Sequence, residues 1–169
     1  RHCIAGHVAR LMAPFSIQDE EAALAAMAQS LGPALTAYHF PEEALQITRL
    51  MQELPPTEPE GRPTPGMQPE AAVSAVLGVD MDDLTAAVLR HWGLHERLLA
   101  AARPLSRSNP VRKPVTREET LRTVASLAHE LAATVLLEAE KQPAAVHLVY
   151  TRYTRALDLT PKECIQNLD

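Results

Sequence analysis

Seven histidines, His2, His7, His39, His91, His95, His129 and His147, are the side chains of this sequence best suited to hold a metal ion or move a proton. A metal site needs three or four ligands converging on one point. His2 and His7 are five residues apart, so on one helix they would point about 140° away from each other. His91 and His95 have the spacing of a shared helical face, but Gly93 between them interrupts the helix that would align them. Taken singly, these are surface or helix-end histidines. An enzymatic alternative stays open, in which His2, His7, His39 and Asp80 or Asp83 surround a divalent ion.

Carboxylates cluster at Asp19-Glu20-Glu21 and at Asp80, Asp82 and Asp83. Each cluster sits where a helix is expected to begin, and there the helix dipole favours acids. Arg103, Arg107, Arg112, Lys113 and Arg117 make a basic, proline-broken stretch. It reads as a solvated connector, with a site for a nucleotide phosphate or an acidic partner as the alternative. Cys3 and Cys164 lie at opposite ends without a C-x-x-C pair and read as reduced thiols. The six glycines are scattered singly, so no loop cradles a phosphate, and neither G-x-S-x-G nor H-E-x-x-H occurs. No catalytic, cofactor-binding or metal site is therefore expected.

A net charge of −5 argues against a nucleic-acid partner. No apolar run approaches the roughly 20 residues that cross a bilayer, and no signal peptide is evident. A cytoplasmic protein is expected, and Arg1 in place of a start Met points to a piece of a longer chain. At 169 residues, 46% apolar but only 4% aromatic, one domain must build its core from Leu, Ala and Val.

The elements that would position these side chains are helical. Ile4, Val8, Leu11 and Met12 form one stripe of a helix His2–Ala13, closed by Pro14. Ser16 and the acids at 19–21 start an alanine-rich helix whose expected apolar face is Leu24, Met27 and Leu31. Gly32-Pro33 is expected to break it. Pro41 opens an acidic-fronted helix running to Leu54, and Pro69 opens another that Gly78 ends. Asp80 and Asp83 resemble a capping pair for Met81–Trp92, with Leu84, Ala87, Val88 and Trp92 on its core face and Gly93 as its stop. A short helix His95–Ala102 follows.

Thr116 and Glu119 form a capping box before the longest helix, Arg117–Lys141, whose seam is Leu121, Val124, Ala128, Leu131 and Val135. That seam is read as bundle core, with a homodimer contact as the alternative. Helices from Pro143 to Leu157 and from Thr160 complete the chain, while 55–69 and 103–116 are expected to be exposed loops. No alternating strand is found. The expected fold is all-α, a compact multi-helix bundle of about eight or nine helices.

Four blocks in this order resemble the HD-related output domain (HDOD), a non-enzymatic relative of the HD phosphohydrolases in bacterial signalling proteins. They are HVARLMA (His7–Ala13), EEAALAAMAQSLGPALTAYHFPEEALQITRLM (Glu20–Met51), EAAVSAVLGVDMDDLTAAVLRHWGLHERLLAAARPL (Glu70–Leu105) and TLRTVASLAHELAATV (Thr120–Val135). The resemblance implies a single HD-like domain over 1–169 that lacks the family's N-terminal helices. Where HD enzymes carry His-Asp this chain has Gln29-Ser30, where relatives often keep a histidine it has Met81, and in place of a double histidine it has Arg103-Pro104. An amide and a hydroxyl cannot replace an imidazole and a carboxylate around a divalent ion. The resemblance thus implies a non-catalytic regulatory module, without cofactor, serving a neighbouring sensor, kinase or cyclic-dinucleotide domain or another partner protein. A small-molecule or nucleotide sensor is the alternative, and a divergent phosphohydrolase the lesser one. Gln29 and Ser30 are expected to join helices by hydrogen bonds.

Overall fold

The computed structural model describes residues 2–13, 19–54, 64–106 and 111–157. Among them lie nine α-helices: α1 (His2–Met12), α2 (Asp19–Ala28), α3 (Leu31–His39), α4 (Pro41–Met51), α5 (Pro69–Leu77), α6 (Met81–His91), α7 (Glu96–Ala101), α8 (Arg117–Thr134) and α9 (Gln142–Leu157). The remaining regular pairing among the described residues is one isolated antiparallel bridge, Leu54 with Thr64. The fold is all-α, as expected. None of the described helices is long and apolar enough to cross a membrane. The final helix expected from Thr160, and Cys164, fall outside the described residues.

The chain divides into two compact units, Arg1–Ser30 with Val88–Asp169, and Leu31–Ala87. In unit 1, α8 is the central element and packs against α1, α2, α7 and α9. Thr116 Oγ1 accepts the Glu119 N–H at 3.1 Å, and the Glu119 carboxylate returns to the Val115 and Thr116 N–H groups at 2.7 and 3.2 Å. This is the expected capping box. Beyond it, Leu121 and all residues from Thr123 to Ala128 are buried, so α8 is enclosed well beyond one seam. It stops at Thr134, seven residues before the expected Lys141, and Val135 at the end of the seam is exposed.

Alanine brings these helices close. Ala5 and Ala9 of α1, Ala22, Ala25 and Ala26 of α2 and Ala125, Ala128 and Ala132 of α8 are all fully buried. Leu121, Leu127, Leu131 and Tyr153 fill what remains. The expected α2 face is corrected accordingly: Leu24 and Met27 are exposed and the alanines face the core. In α1, Leu11 is likewise exposed, and Ala5, Val8, Ala9 and Met12 make the buried stripe. A small side chain at each crossing permits a short interaxial distance, which a leucine there would prevent.

In unit 2, Ile47 of α4 packs with Ala72 and Val73 of α5 in a small core that Leu50, Val76 and Leu77 border. Pro41 and Pro69 occupy first-turn positions, and Gly78 ends α5 in the left-handed region at φ 69°. α4 stops at Met51 rather than Leu54, because the chain turns into the bridge to Thr64. Gly66 lies so close to the Met51 carbonyl that no side chain fits there, and the Met67 N–H donates to Leu50 O at 2.7 Å. The start of α6 also belongs to this unit. There the Asp80 carboxylate accepts the Asp82 and Asp83 N–H groups, capping the helix as expected. The break expected at Gly32-Pro33 comes earlier, at a turn through Gln29-Ser30, and α3 already begins at Leu31. Pro33 sits in the first turn of α3, where a missing N–H costs no helical bond.

Candidate functional site

Gln29 follows α2 directly, its N–H bonded to Ala25 O at 3.1 Å, so its side chain leaves the end of an alanine-lined helix and enters the protein interior. The amide Nε2 donates to Ala101 O at 2.8 Å and to Ser126 Oγ at 3.0 Å. These two bonds join the end of α2 to the last residue of α7 and the middle of α8. Ser126 Oγ also accepts the Leu105 N–H at 3.0 Å, which fixes the chain leaving α7. Gln29 Oε1 is buried without a hydrogen-bond partner among the described residues. Ser30 is buried as well, and its hydroxyl donates locally to Met27 O at 3.1 Å. Gln29 thus joins helices by distant hydrogen bonds, as expected.

Two arginines complete the junction. Arg122 of α8 donates from Nε to Arg103 O at 2.7 Å and from Nη2 to Pro104 O at 3.0 Å. Arg152 of α9 donates to Ser106 O and to Glu130 Oε1, the latter at 2.9 Å, and Tyr153 Oη donates to the same carboxylate oxygen at 2.9 Å. The Arg152 guanidinium also lies 5.4 Å from the Tyr153 ring centroid, within cation–π range. The segment after α7 is therefore tied by its carbonyls and packs Leu105 and Val111 against the core. The described residues of 103–116 are exposed or half-buried, with Arg103, Arg112 and Lys113 among the exposed ones. Arg107 lies outside the described residues.

Sequence reading missed Ser126, Arg122, Glu130 and Arg152. Ser126 carried one signal: a lone hydroxyl inside the run Val124-Ala125-Ser126-Leu127-Ala128, where burial demands a partner. The arginines carried none, because their acceptors are backbone carbonyls and, for Arg152, a carboxylate 22 residues away.

The other candidate side chains serve mostly local purposes. His7, His39, His91 and His147 are exposed, and His129 is half-buried. His95 is the N-cap of α7, its Nδ1 accepting the Arg97 N–H at 3.3 Å. Trp92, expected in the core, is 58% exposed, while Thr85 and Leu89 form the buried stripe of α6. The side chain of His2 falls outside the described residues. Among the described residues, no three His, Cys, Asp or Glu side chains gather as a metal site would require.

Arg117 lines a cleft of about 370 Å³ with Glu21, Arg97, Thr116, Glu118 and Leu121. Its guanidinium pairs with Glu21 at 2.6 Å, and Arg97 pairs with Glu118 at 3.5 Å. A phosphate entering here would compete with both carboxylates. Beside the cleft, the Val115 and Thr116 N–H groups stabilise the Glu119 carboxylate and hold its pKa below the ordinary 4.5.

The groups meeting at Gln29 are an amide, a carbonyl, a hydroxyl and a peptide N–H. None is a base or nucleophile at neutral pH, and their combined effect is to fix three helices in register. Compared with family models, with curated proteins and with solved structures, the chain matches none.

Proposed function

We propose that this chain is a regulatory, protein-interaction module of a bacterial signal-transduction protein, HDOD-like and without catalysis of its own. The observation that carries the reading is the Gln29 amide. At the place where the resemblance puts the metal-binding His-Asp pair, a buried neutral side chain bonds to Ala101 and Ser126. A junction of this kind transmits displacement. Moving α2 relative to α7 and α8 would break buried hydrogen bonds, so a neighbouring domain or partner that favours one arrangement would shift the module between states. Cytoplasmic residence belongs to the same reading.

The test is an assay of purified protein against cyclic dinucleotides and a chromogenic phosphodiester, with manganese, iron or zinc added. No turnover is expected. Metal-dependent hydrolysis that co-purifies with the protein through a second column would overturn the proposal. The double variant Gln29→His with Ser30→Asp is also expected to stay inactive, since the side chain at 29 is surrounded by a carbonyl and a hydroxyl rather than by further ligands.

A further inference from the structure

Unit 2 leaves its largest side chains in water. Tyr38 is 81% exposed, Phe40 52% and Leu45 58%. Tyr38 and Phe40 flank His39 at the elbow between α3 and α4, and the Tyr38 ring meets the His39 imidazole edge-on at 4.9 Å. Phe40 is the N-cap residue of α4, yet its side chain makes no capping bond. Leu45 lies one turn into that helix, on an exposed stripe shared with Glu42 and Arg49, whereas Ile47 points into the small core. Single exposed apolar residues are ordinary, but aromatic side chains grouped at one elbow are the composition of an interface centre.

Charge names the occupant. Residues 31–87 carry nine Asp and Glu against Arg49 and Arg62, a formal net of −7, while the rest of the chain carries twelve acids against fourteen bases, a net of +2. Glu42 and Glu43, in the first turn beside the aromatic elbow, form no ion pair among the described residues. Such a surface repels nucleic acid and acidic peptides and attracts cationic ones.

We propose that the α3–α4 elbow docks a basic amphipathic segment of a partner protein. The partner's apolar face covers Tyr38, Phe40 and Leu45, and its lysines or arginines meet Glu42 and Glu43. The inference sharpens the interaction-module reading but rests on different residues. Hydrolytic turnover would overturn that reading and leave this one standing, and absence of docking would do the reverse.

The probe is a labelled helical peptide of Leu and Lys, about 18 residues or five turns long. Its partners are an otherwise identical Leu/Glu peptide and a lysine-only peptide. Anisotropy titration is expected to show binding of the Leu/Lys peptide above both controls, weakening as salt rises. The triple variant Tyr38→Ser, Phe40→Ser, Leu45→Gln is expected to weaken binding about tenfold or more. Glu42→Lys alone is expected to weaken it severalfold. Serine at 40 can cap α4, so the variant keeps its helix, which circular dichroism checks. A control, Trp92→Ser with Leu148→Ser, removes exposed apolar side chains from unit 1 and is expected to bind as wild type. The proposal is overturned by any of three results: no binding of the Leu/Lys peptide, equal binding of the Leu/Glu peptide, or binding that the elbow variant leaves unchanged.

Discussion

Gln29 can be tested with two substitutions that keep its size and change what it donates. In Gln29→Leu the Ala101 carbonyl loses a buried donor, at a cost of about 1–3 kcal/mol. Ser126 Oγ keeps the Leu105 N–H, so its loss is that of one ordinary hydrogen bond, about 1 kcal/mol. Against this, the variant no longer buries Oε1, which has no partner among the described residues, and this returns about 1–3 kcal/mol. The net expectation is a destabilisation of about 1 kcal/mol. Gln29→Glu has nearly the same shape but presents a carboxylate to the Ala101 carbonyl, away from any paired cation. An uncompensated buried charge costs about 3–5 kcal/mol, a large share of a typical domain's stability.

The pH dependence gives the sign. Burial beside a carbonyl raises the introduced carboxyl's pKa in the folded state above its unfolded value of about 4.3. The folded state then binds the proton more tightly. The penalty is least below the unfolded pKa and grows as pH rises towards the folded one. Urea melts followed by circular dichroism at pH 4 and pH 7 should therefore show Gln29→Glu losing more stability at the higher pH, while Gln29→Leu differs from wild type by a constant amount. If Gln29→Glu lies within about 1 kcal/mol of wild type at pH 7, or is more stable than Gln29→Leu there, the amide is not a buried donor and the junction is misread.

Three further outcomes follow from particular contacts. A methyl group added at Gly32 would collide with Thr85 Oγ1 and lie 2.9 Å from Met81 Sδ, so Gly32→Ala is expected to lower the melting temperature by the equivalent of about 1–3 kcal/mol; Gly6→Ala, whose nearest neighbour is the flexible Met27 side chain at 3.1 Å, should be nearly neutral. Because the folded pKa of Glu119 is depressed, its capping bonds stabilise the fold fully above the unfolded value near 4.5 and lose effect as pH falls through the folded one; the melting-temperature gap between wild type and Glu119→Gln should shrink over that acid range and stay constant from pH 6 to 8. Trp92 is the only tryptophan and is 58% exposed, so its emission should already be that of a solvated indole and should shift little on unfolding, whereas a buried indole would shift strongly to the red.

What the sequence determined by itself is everything decided within about one helical turn. Thr116 and Glu119 are three residues apart, and no distant group is needed to form their capping box. Pro41 and Pro69 have φ values preset for a first turn. Gly78 and Gly93 take the left-handed conformation that stops α5 and α6. These local preferences also explain why the all-α class was legible. The end of α8 was less so, because Val135–Lys141 carries neither glycine nor proline to mark a stop. Pro33 misled for a related reason, since a proline can begin a helix as well as break one.

Tertiary structure decided which faces were buried. In α2 nearly every residue after the acidic turn is apolar, so no periodicity distinguishes Ala25 from Leu24. The close approach of α1 and α8 selects the alanines and leaves Leu24 and Met27 outside. Spacing puts Trp92 on the apolar face of its helix, yet Leu89 takes the buried place. The partners of Gln29 stand 72 and 97 residues away in sequence, and one is a main-chain carbonyl, whose chemistry every residue shares. No pattern of residue types could have singled out Ala101. Only the packing of α7 against both α2 and α8 makes its carbonyl the acceptor for that amide.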